Sequence, residues 1–189
     1  DEAYGIPPIL VFNKRDLLTT ADLHFVHSCI DLYSAVGVTC RLVAATQEPL
    51  NEILGLLQHK TTLIAGHSGV GKSTVLNKIA PSIEQRVGDV SDFTEKGTHT
   101  TTFAEMFQLN EDTFVIDTPG IKEWGLVDMN QQELSDYFPE MRNVRLHCKF
   151  GSKCLHLQEP KCAVRDAVQA GTIAPSRYES YVSMVLGED

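Results

Sequence analysis

Four groups of residues in this chain are typed and spaced for chemistry. The first lies in Thr61 to Thr74, TTLIAGHSGVGKST, where Gly66-x-x-x-x-Gly71-Lys72-Ser73 follows a short apolar run, Leu63 to Ala65, and precedes a helix-compatible segment, Val75 to Ile79. Strand, glycine loop and helix in that order are what a phosphate-binding loop requires. Gly66, Gly69 and Gly71 let backbone N–H groups turn inward around phosphate oxygens, where a Cβ would obstruct the approach. His67, Ser68, Val70 and Thr74 complete the cradle. The N–H groups and dipole of the following helix add to the attraction. Lys72 is expected to reach the β- and γ-phosphates and the Ser73 hydroxyl to ligate Mg²⁺. The chain is therefore expected to bind a nucleoside triphosphate.

The second group, Asn13-Lys14-Arg15-Asp16, ends the apolar run Pro8 to Phe12. It resembles the NKxD guanine-recognition motif of GTPases. Guanine presents two adjacent donors, N1–H and the 2-amino group, which one ionised carboxylate accepts together. Adenine lacks both, so Asp16 facing adenine would be a buried acceptor without partners, at a cost on the order of 1–3 kcal/mol. Lys14 is expected to lay its alkyl stem along the base. Ala44-Ala45-Thr46 looks like the Ser-Ala-x loop that supports guanine from its other side. With Ala44 in place of serine, the backbone N–H groups of Ala44 and Ala45 are left to contact guanine O6.

The third group concerns the γ-phosphate. The run Thr98-His99-Thr100-Thr101-Thr102 closes a polar stretch from Pro81 that includes Gly88 and Gly97. Long polar loops of this kind are usually functional. By resemblance to GTPases this is switch I, whose threonine hydroxyl joins Mg²⁺; Thr101 is the expected residue and Thr100 the alternative register. Asp117-Thr118-Pro119-Gly120 follows an apolar strand and matches DxxG, in which Asp117 binds Mg²⁺ through water and the Gly120 N–H meets the γ-phosphate. Ile121 stands where Ras-type enzymes carry the water-orienting Gln, so intrinsic hydrolysis is expected to be slow. His99 is the nearest candidate to position water, which makes the expected catalytic set Lys72, His99 and Thr101.

The fourth group is Cys148-x₅-Cys154-x-His156-x₅-Cys162, three soft thiolates and an imidazole, a complete set for tetrahedral structural Zn²⁺. His147 is a rival for the imidazole position. A closed site of this kind leaves no open coordination position and is expected to fold a stretch poor in apolar residues. Arg142, Arg145, Lys149, Lys153, Lys161 and Arg165 surround it, opposed by Glu159. They form a basic patch expected to meet RNA phosphates, with Arg145, Lys149 and Lys153 as the leading contacts.

The elements that must position these groups follow from periodicity. Pro8 to Phe12, Val38 to Ala44, Phe103 to Leu109 and Thr113 to Ile116 read as strands, the last two joined by a turn at Asn110-Glu111-Asp112. Thr20 to Val36 carries Leu23, Val26, Ile30 and Tyr33 at helical spacing, with Thr20 or Asp22 as the cap and Gly37 as the stop. Cys29 and Cys40 are expected to be buried small hydrophobes. Pro49 to Gln58, Gln131 to Phe138, Ala163 to Ala170 and Pro175 to Leu186 read as further helices, the last with a packing stripe of Tyr178, Tyr181 and Val185. With 42% hydrophobic and 22% charged residues the 189-residue chain reads as a soluble, cytoplasmic protein with no membrane span, and as a piece of something longer. A net charge of −9 confines any nucleic-acid contact to a patch. Cysteines crowded between 148 and 162 suggest metal rather than disulfides.

The order of the motifs is itself informative. Ordinary GTPases run phosphate loop, switch I, DxxG, NKxD and Ala loop, whereas here the last two come first, as in a circle of elements cut elsewhere. With GHSGVGKST, GTHTTT, DTPGIKEWGL, the cysteine-histidine cluster, EPKCAV and RYESY, the chain resembles the RsgA (YjeQ) family of circularly permuted ribosome-assembly GTPases. That resemblance implies an α/β phosphate-loop GTPase domain over 1–140 and a small zinc-binding helical domain over 141–189, without the family's N-terminal RNA-binding barrel. It implies GTP and GDP, Mg²⁺ and Zn²⁺ as ligands, His156 as the imidazole ligand, and action on the small ribosomal subunit and its rRNA as a monomer that leaves after hydrolysis. The interval between the first two cysteines is one residue longer than in the family. Two rivals stand beside this reading: a nucleotide-gated RNA-binding module with incidental hydrolysis, and a phosphate-loop kinase or ATPase, which NKRD and the lack of an acceptor lid disfavour.

Overall fold

Each strand next to a nucleotide motif stops where the motif begins. In a computed structural model that describes residues 4–81, 104–118 and 130–187, β1 (Ile9–Phe12) ends just before Asn13 and β3 (Thr61–Ile64) just before the glycine loop. Between them run α1 (Thr20–Ala35), β2 (Thr39–Leu42) and α2 (Asn51–Leu57); after the loop come α3 (Lys72–Ile79), β4 (Glu105–Asn110) and β5 (Thr113–Asp117). β1 and β2 form one pair, while β3, β5 and β4 form a sheet in that order. β3 and β5 are parallel, with Ile64 opposite Asp117. β4 returns antiparallel on β5 with an irregularity between Gln108 and Asn110. The register therefore brings the last residue of β5 beside the entry to the phosphate loop.

Helix α1 is capped one residue earlier than expected. Thr19, not Thr20 or Asp22 alone, closes its first turn: Asp22 Oδ2 accepts from the Thr19 N–H at 2.9 Å and hydroxyl at 2.7 Å, and the Asp22 N–H donates to Thr19 Oγ1 at 3.3 Å. This reciprocal pairing satisfies donors that the helix cannot. The stripe Leu23, Val26, Ile30 and Tyr33 is half-buried, and so is Cys29, which is not the core residue expected; Cys40 is buried.

The described residues gather into two compact units, Leu10–Ser28 with Cys40–Trp124, and Asp1–Ile9 with Cys29–Thr39 and Gly125–Asp189. The second has a dense core of Leu134, Phe138, Met141, Val164, Ile173, Tyr181 and Val185 packed with the three clustered cysteines. Its helices are α4 (Pro139–Arg142), α5 (Ala163–Gln169) and α6 (Pro175–Leu186). The helix expected over 131–138 is instead a 3₁₀ turn, Leu134–Tyr137, followed by α4. Pro139 explains the break: it holds Phe138 extended (φ −107°, ψ 100°) and suits the first position of a new helix. Arg177 of α6 pairs with Glu140 at 2.7 Å and lies over the Phe138 and Tyr33 rings, 4.7 and 5.4 Å from their centroids. In α6 the expected stripe packs inward, with Tyr181 and Val185 buried and Tyr178 half-buried.

Candidate functional site

In the first unit, two segments far apart in sequence meet at the glycine loop. Lys14, with φ +66°, turns the chain out of β1, and its Nζ donates to the Gly69 carbonyl at 2.6 Å. Asn13 Nδ2 donates to the Val70 carbonyl at 3.2 Å, while Asn13 Oδ1 accepts from the Ala45 N–H at 3.1 Å. One amide side chain thus joins the NKRD turn, the Ala loop and the phosphate loop. Gly71 has φ +96°, and a Cβ on it would overlap the Asn13 amide nitrogen, so both conformation and space exclude a side chain there.

The loop hands over to α3 at Lys72, whose ammonium donates to the Gly66 carbonyl and, at 3.3 Å, to that of His67. Ser73 and Thr74 follow in the first turn, with Ser68, Gly69 and Val70 exposed in the loop. Asp117 ends β5, and Thr118 Oγ1 donates to the Ile64 carbonyl at 2.9 Å, pinning the start of the DxxG motif to β3. Burial raises the Asp117 pKa, with Lys72 opposing and Glu105 adding. Asp16 stands exposed in a 3₁₀ turn, Arg15–Leu17. Gly120 and Ile121, and His99, Thr100 and Thr101, lie outside the described residues.

Sequence reasoning missed Glu48. Its Oε1 accepts from the Ala44 N–H at 2.8 Å and its Oε2 from Arg15 at 2.7 Å, which ties the Ala loop to the NKRD turn. The one signal was its position, an acidic residue four beyond Ala44 and just before Pro49. Both amides expected to face guanine O6 therefore carry protein acceptors, Glu48 for Ala44 and Asn13 for Ala45.

In the second unit, Cys148, Cys154, His156 and Cys162 are all buried, with their ligand atoms within 4.8 Å of one another. Cys148 and Cys162 sulfurs lie 3.9 Å apart, and His156 Nδ1 lies 3.6 and 3.3 Å from them. A tetrahedral ion with Zn–S of about 2.3 Å and Zn–N of about 2.0–2.1 Å gives edges of about 3.8 Å (S···S) and about 3.6 Å (S···N). The donor set and its spacing fit zinc. Burial pushes the Cys154 thiol up to about 12 and raises that of Cys162, while the N–H groups of His156 and Arg165 donate to the two sulfurs. Burial also lowers the His156 pKa, Arg145 adding to the effect, so the ring is neutral as a ligand must be. Between the first two cysteines the chain makes a 3₁₀ turn, Gly151–Lys153, with Gly151 at φ +52°. His147 is exposed and outside the cluster.

The basic patch needs one correction. Arg145 is buried and ion-paired with Asp136, so it belongs to the packing around the cluster and not to an exposed contact surface. Lys149 and Lys153 are exposed, Lys149 Nζ lying 5.4 Å from the Phe150 ring centroid. Lys161 and Arg165 line a cleft of about 400 Å³ together with the acidic Glu159 and Asp166 and with Tyr178, so it is mixed in charge. The Glu159 carboxylate accepts from backbone N–H groups that favour its charged form. Among the described residues no helix is long and apolar enough to cross a membrane.

The profile of the RsgA GTPase family matches residues 1–127. The small ribosomal subunit biogenesis GTPase RsgA of Bacteroides fragilis is 45% identical over 185 residues, 97% of this chain and 59% of that protein. Its counterpart in Flavobacterium psychrophilum is 43% identical over 189 residues, all of this chain and 58% of the relative. The chain thus spans about three fifths of the length of these relatives. Among solved structures, YloQ, a circularly permuted GTPase, superposes with TM-score 0.77 at 33% identity, and YjeQ from Thermotoga maritima with 0.80 at 34%. The match covers 99% of this chain in both cases, and 58% and 62% of those chains. The fold is that of a circularly permuted GTPase.

Proposed function

The chain belongs to the RsgA GTPase family, and from that premise we propose that it hydrolyses GTP in late maturation of the small ribosomal subunit, binding rRNA in the GTP state and leaving after hydrolysis. The observation that carries this reading is the Asn13 and Lys14 tether to the carbonyls of Val70 and Gly69. With the chain order permuted, this contact between the NKRD turn and the glycine loop supports reading the two as parts of one nucleotide site. Asp16 selects guanine through its two donors, and the loop amides from His67 to Thr74 with Lys72 hold the phosphates. Ser73 and Asp117, with Thr101, would hold Mg²⁺, which when bound neutralises charge developing on the phosphates. His99 is the proposed water-positioning residue. In this reading residues 1–140 carry the nucleotide chemistry and 141–189 a structural zinc module whose core reaches back to Leu134. The exposed Lys149 and Lys153 meet rRNA phosphates, and the protein acts as a cytoplasmic monomer.

The test is GTP turnover by this chain with and without purified small ribosomal subunits. Slow intrinsic turnover, stimulation by subunits and its loss in Lys72→Ala are the expected results. Tight GDP binding without stimulation would overturn the ribosomal part of the reading. Equal subunit affinity with GDP and a non-hydrolysable GTP analogue would remove the nucleotide-dependent release.

A further inference from the structure

His156 has two unusual features. Its φ is +58°, in the left-handed region that a residue with a Cβ seldom adopts, and its Nε2 is buried with no hydrogen-bond partner. Nδ1, by contrast, points between the sulfurs of Cys148 and Cys162 at 3.6 and 3.3 Å. The peptide groups on both sides of the His156 Cα are held by side chains. Glu159 Oε1 accepts from the Leu155 N–H at 2.8 Å, and its Oε2 from the N–H groups of Leu157 at 2.9 Å and Gln158 at 3.1 Å. From α6, the Tyr181 hydroxyl donates to the Leu155 carbonyl at 2.9 Å and the Tyr178 hydroxyl to the His156 carbonyl at 2.6 Å. The His156 N–H itself donates to the Cys154 sulfur.

Resting on the reading of these four residues as a zinc site, we propose that His156 ligates the metal through Nδ1 and that Glu159 is the residue that positions it. Nδ1 is the ring nitrogen nearer the backbone. A main chain clamped close to the cluster therefore presents that atom, and the proton is left on Nε2. Glu159 does this because an ionised carboxylate only accepts, and here it faces the N–H groups of Leu155, Leu157 and Gln158 as well as its own. Glutamine would keep the shape but turn an NH₂ group toward one or two of them, which releases the turn. Outer groups of this kind change metal affinity by about 10- to 100-fold.

The experiment uses the 189-residue chain, zinc-loaded and labelled with ¹⁵N in histidine. Long-range ¹H–¹⁵N spectra are expected to show His156 with Nδ1 on the metal and Nε2 protonated. Zinc release to a chelator is expected to be about 10- to 100-fold faster in Glu159→Gln and faster by a smaller factor in Tyr178→Phe. It should be unchanged in Glu179→Gln, an exposed carboxylate of α6. In the cobalt-substituted protein, Glu159→Gln should also shift the ligand-field bands, which loss of stability alone would not do. Metal on Nε2, or release from Glu159→Gln at the wild-type rate, overturns the proposal. If Glu159→Gln does not fold, Tyr178→Phe carries the test: release at the wild-type rate overturns the clamp. Wild-type protein that takes up no zinc overturns the four-ligand reading itself.

Discussion

The phosphate-loop region and the metal region are held by opposite means. β3, which launches the phosphate loop, buries none of its four residues, and its Leu63 is 47% exposed. The loop's geometry comes from three glycines at positive φ, Gly66, Gly69 and Gly71, and a few hydrogen bonds from Asn13, Lys14 and Lys72 to its carbonyls. Around the cysteines, by contrast, Met141, Val164, Tyr181 and His156 are wholly buried, and the turn around His156 is braced by Glu159, Tyr178 and Tyr181. Local opening costs least where few apolar contacts must break. The first arrangement suits a site whose ligand must enter and leave, the second one whose ligand must stay.

Removal of a metal ligand should have the largest effect. Cys154→Ser is expected to unravel the second unit, because apparent binding energies on the order of 10 kcal/mol are at stake in structural zinc sites. Amides of α5 and α6 should lose protection from hydrogen exchange while guanine-nucleotide affinity persists. If nucleotide affinity falls in step, the two regions are one cooperative unit. Next in size is a pair of truncations. Tyr181→Ala, which removes a buried ring and its bond to Leu155, should cost about 3–5 kcal/mol, and Leu63→Ala less than about 1 kcal/mol. Similar losses in denaturant melts would contradict the contrast in burial. Third, Gly71→Ala places a Cβ against Asn13 in a left-handed backbone, a strain of about 1–3 kcal/mol. Guanine-nucleotide affinity should fall about 10- to 100-fold with the melting of the second unit unmoved, as calorimetric titration and thermal scans would show.

What was legible in the sequence divides along the same line. The phosphate loop, NKRD and the cysteine cluster could be read because each is a short chain segment with its chemistry in its spacing. So could the strands and helices that carry them, since alternation and helical stripes are local. The links between segments were not legible. Glu48 matters only because β1 and β2 run side by side and bring Arg15 within reach of it. Arg145 looked like part of a basic surface because its partner, Asp136, lies nine residues back across a turn that Pro139 redirects. The Thr19 cap was hidden because the residue just outside a helix has no place in its periodicity.

The smallest difference expected is between two carboxylates, Asp117 and Glu159, whose environments push them in opposite directions. Burial raises the Asp117 pKa in the folded chain, so ionisation costs stability above the folded value, and lowering the pH from there toward the ordinary carboxylate range relieves that cost. For Glu159, burial alone would raise the value, but the N–H groups of Glu159 itself, Leu155, Leu157 and Gln158 outweigh it and hold the pKa below the ordinary one. Its contribution is complete above the unfolded value of about 4.3 and is lost as the pH falls through the folded one. On acidification from neutrality, protection factors at β5 should therefore rise slightly first. Those at Leu155, Leu157 and Gln158 should fall only at lower pH. Acid also protonates the thiols and releases metal, so the informative quantity is the difference between wild type and Glu159→Gln for the turn, and between wild type and Asp117→Asn for β5. Each substitution should flatten its own segment's pH response and leave the other's intact. A fall at both segments over one pH range, insensitive to either substitution, would mean that acid acts through the metal alone and that neither carboxylate sets the stability of its surroundings.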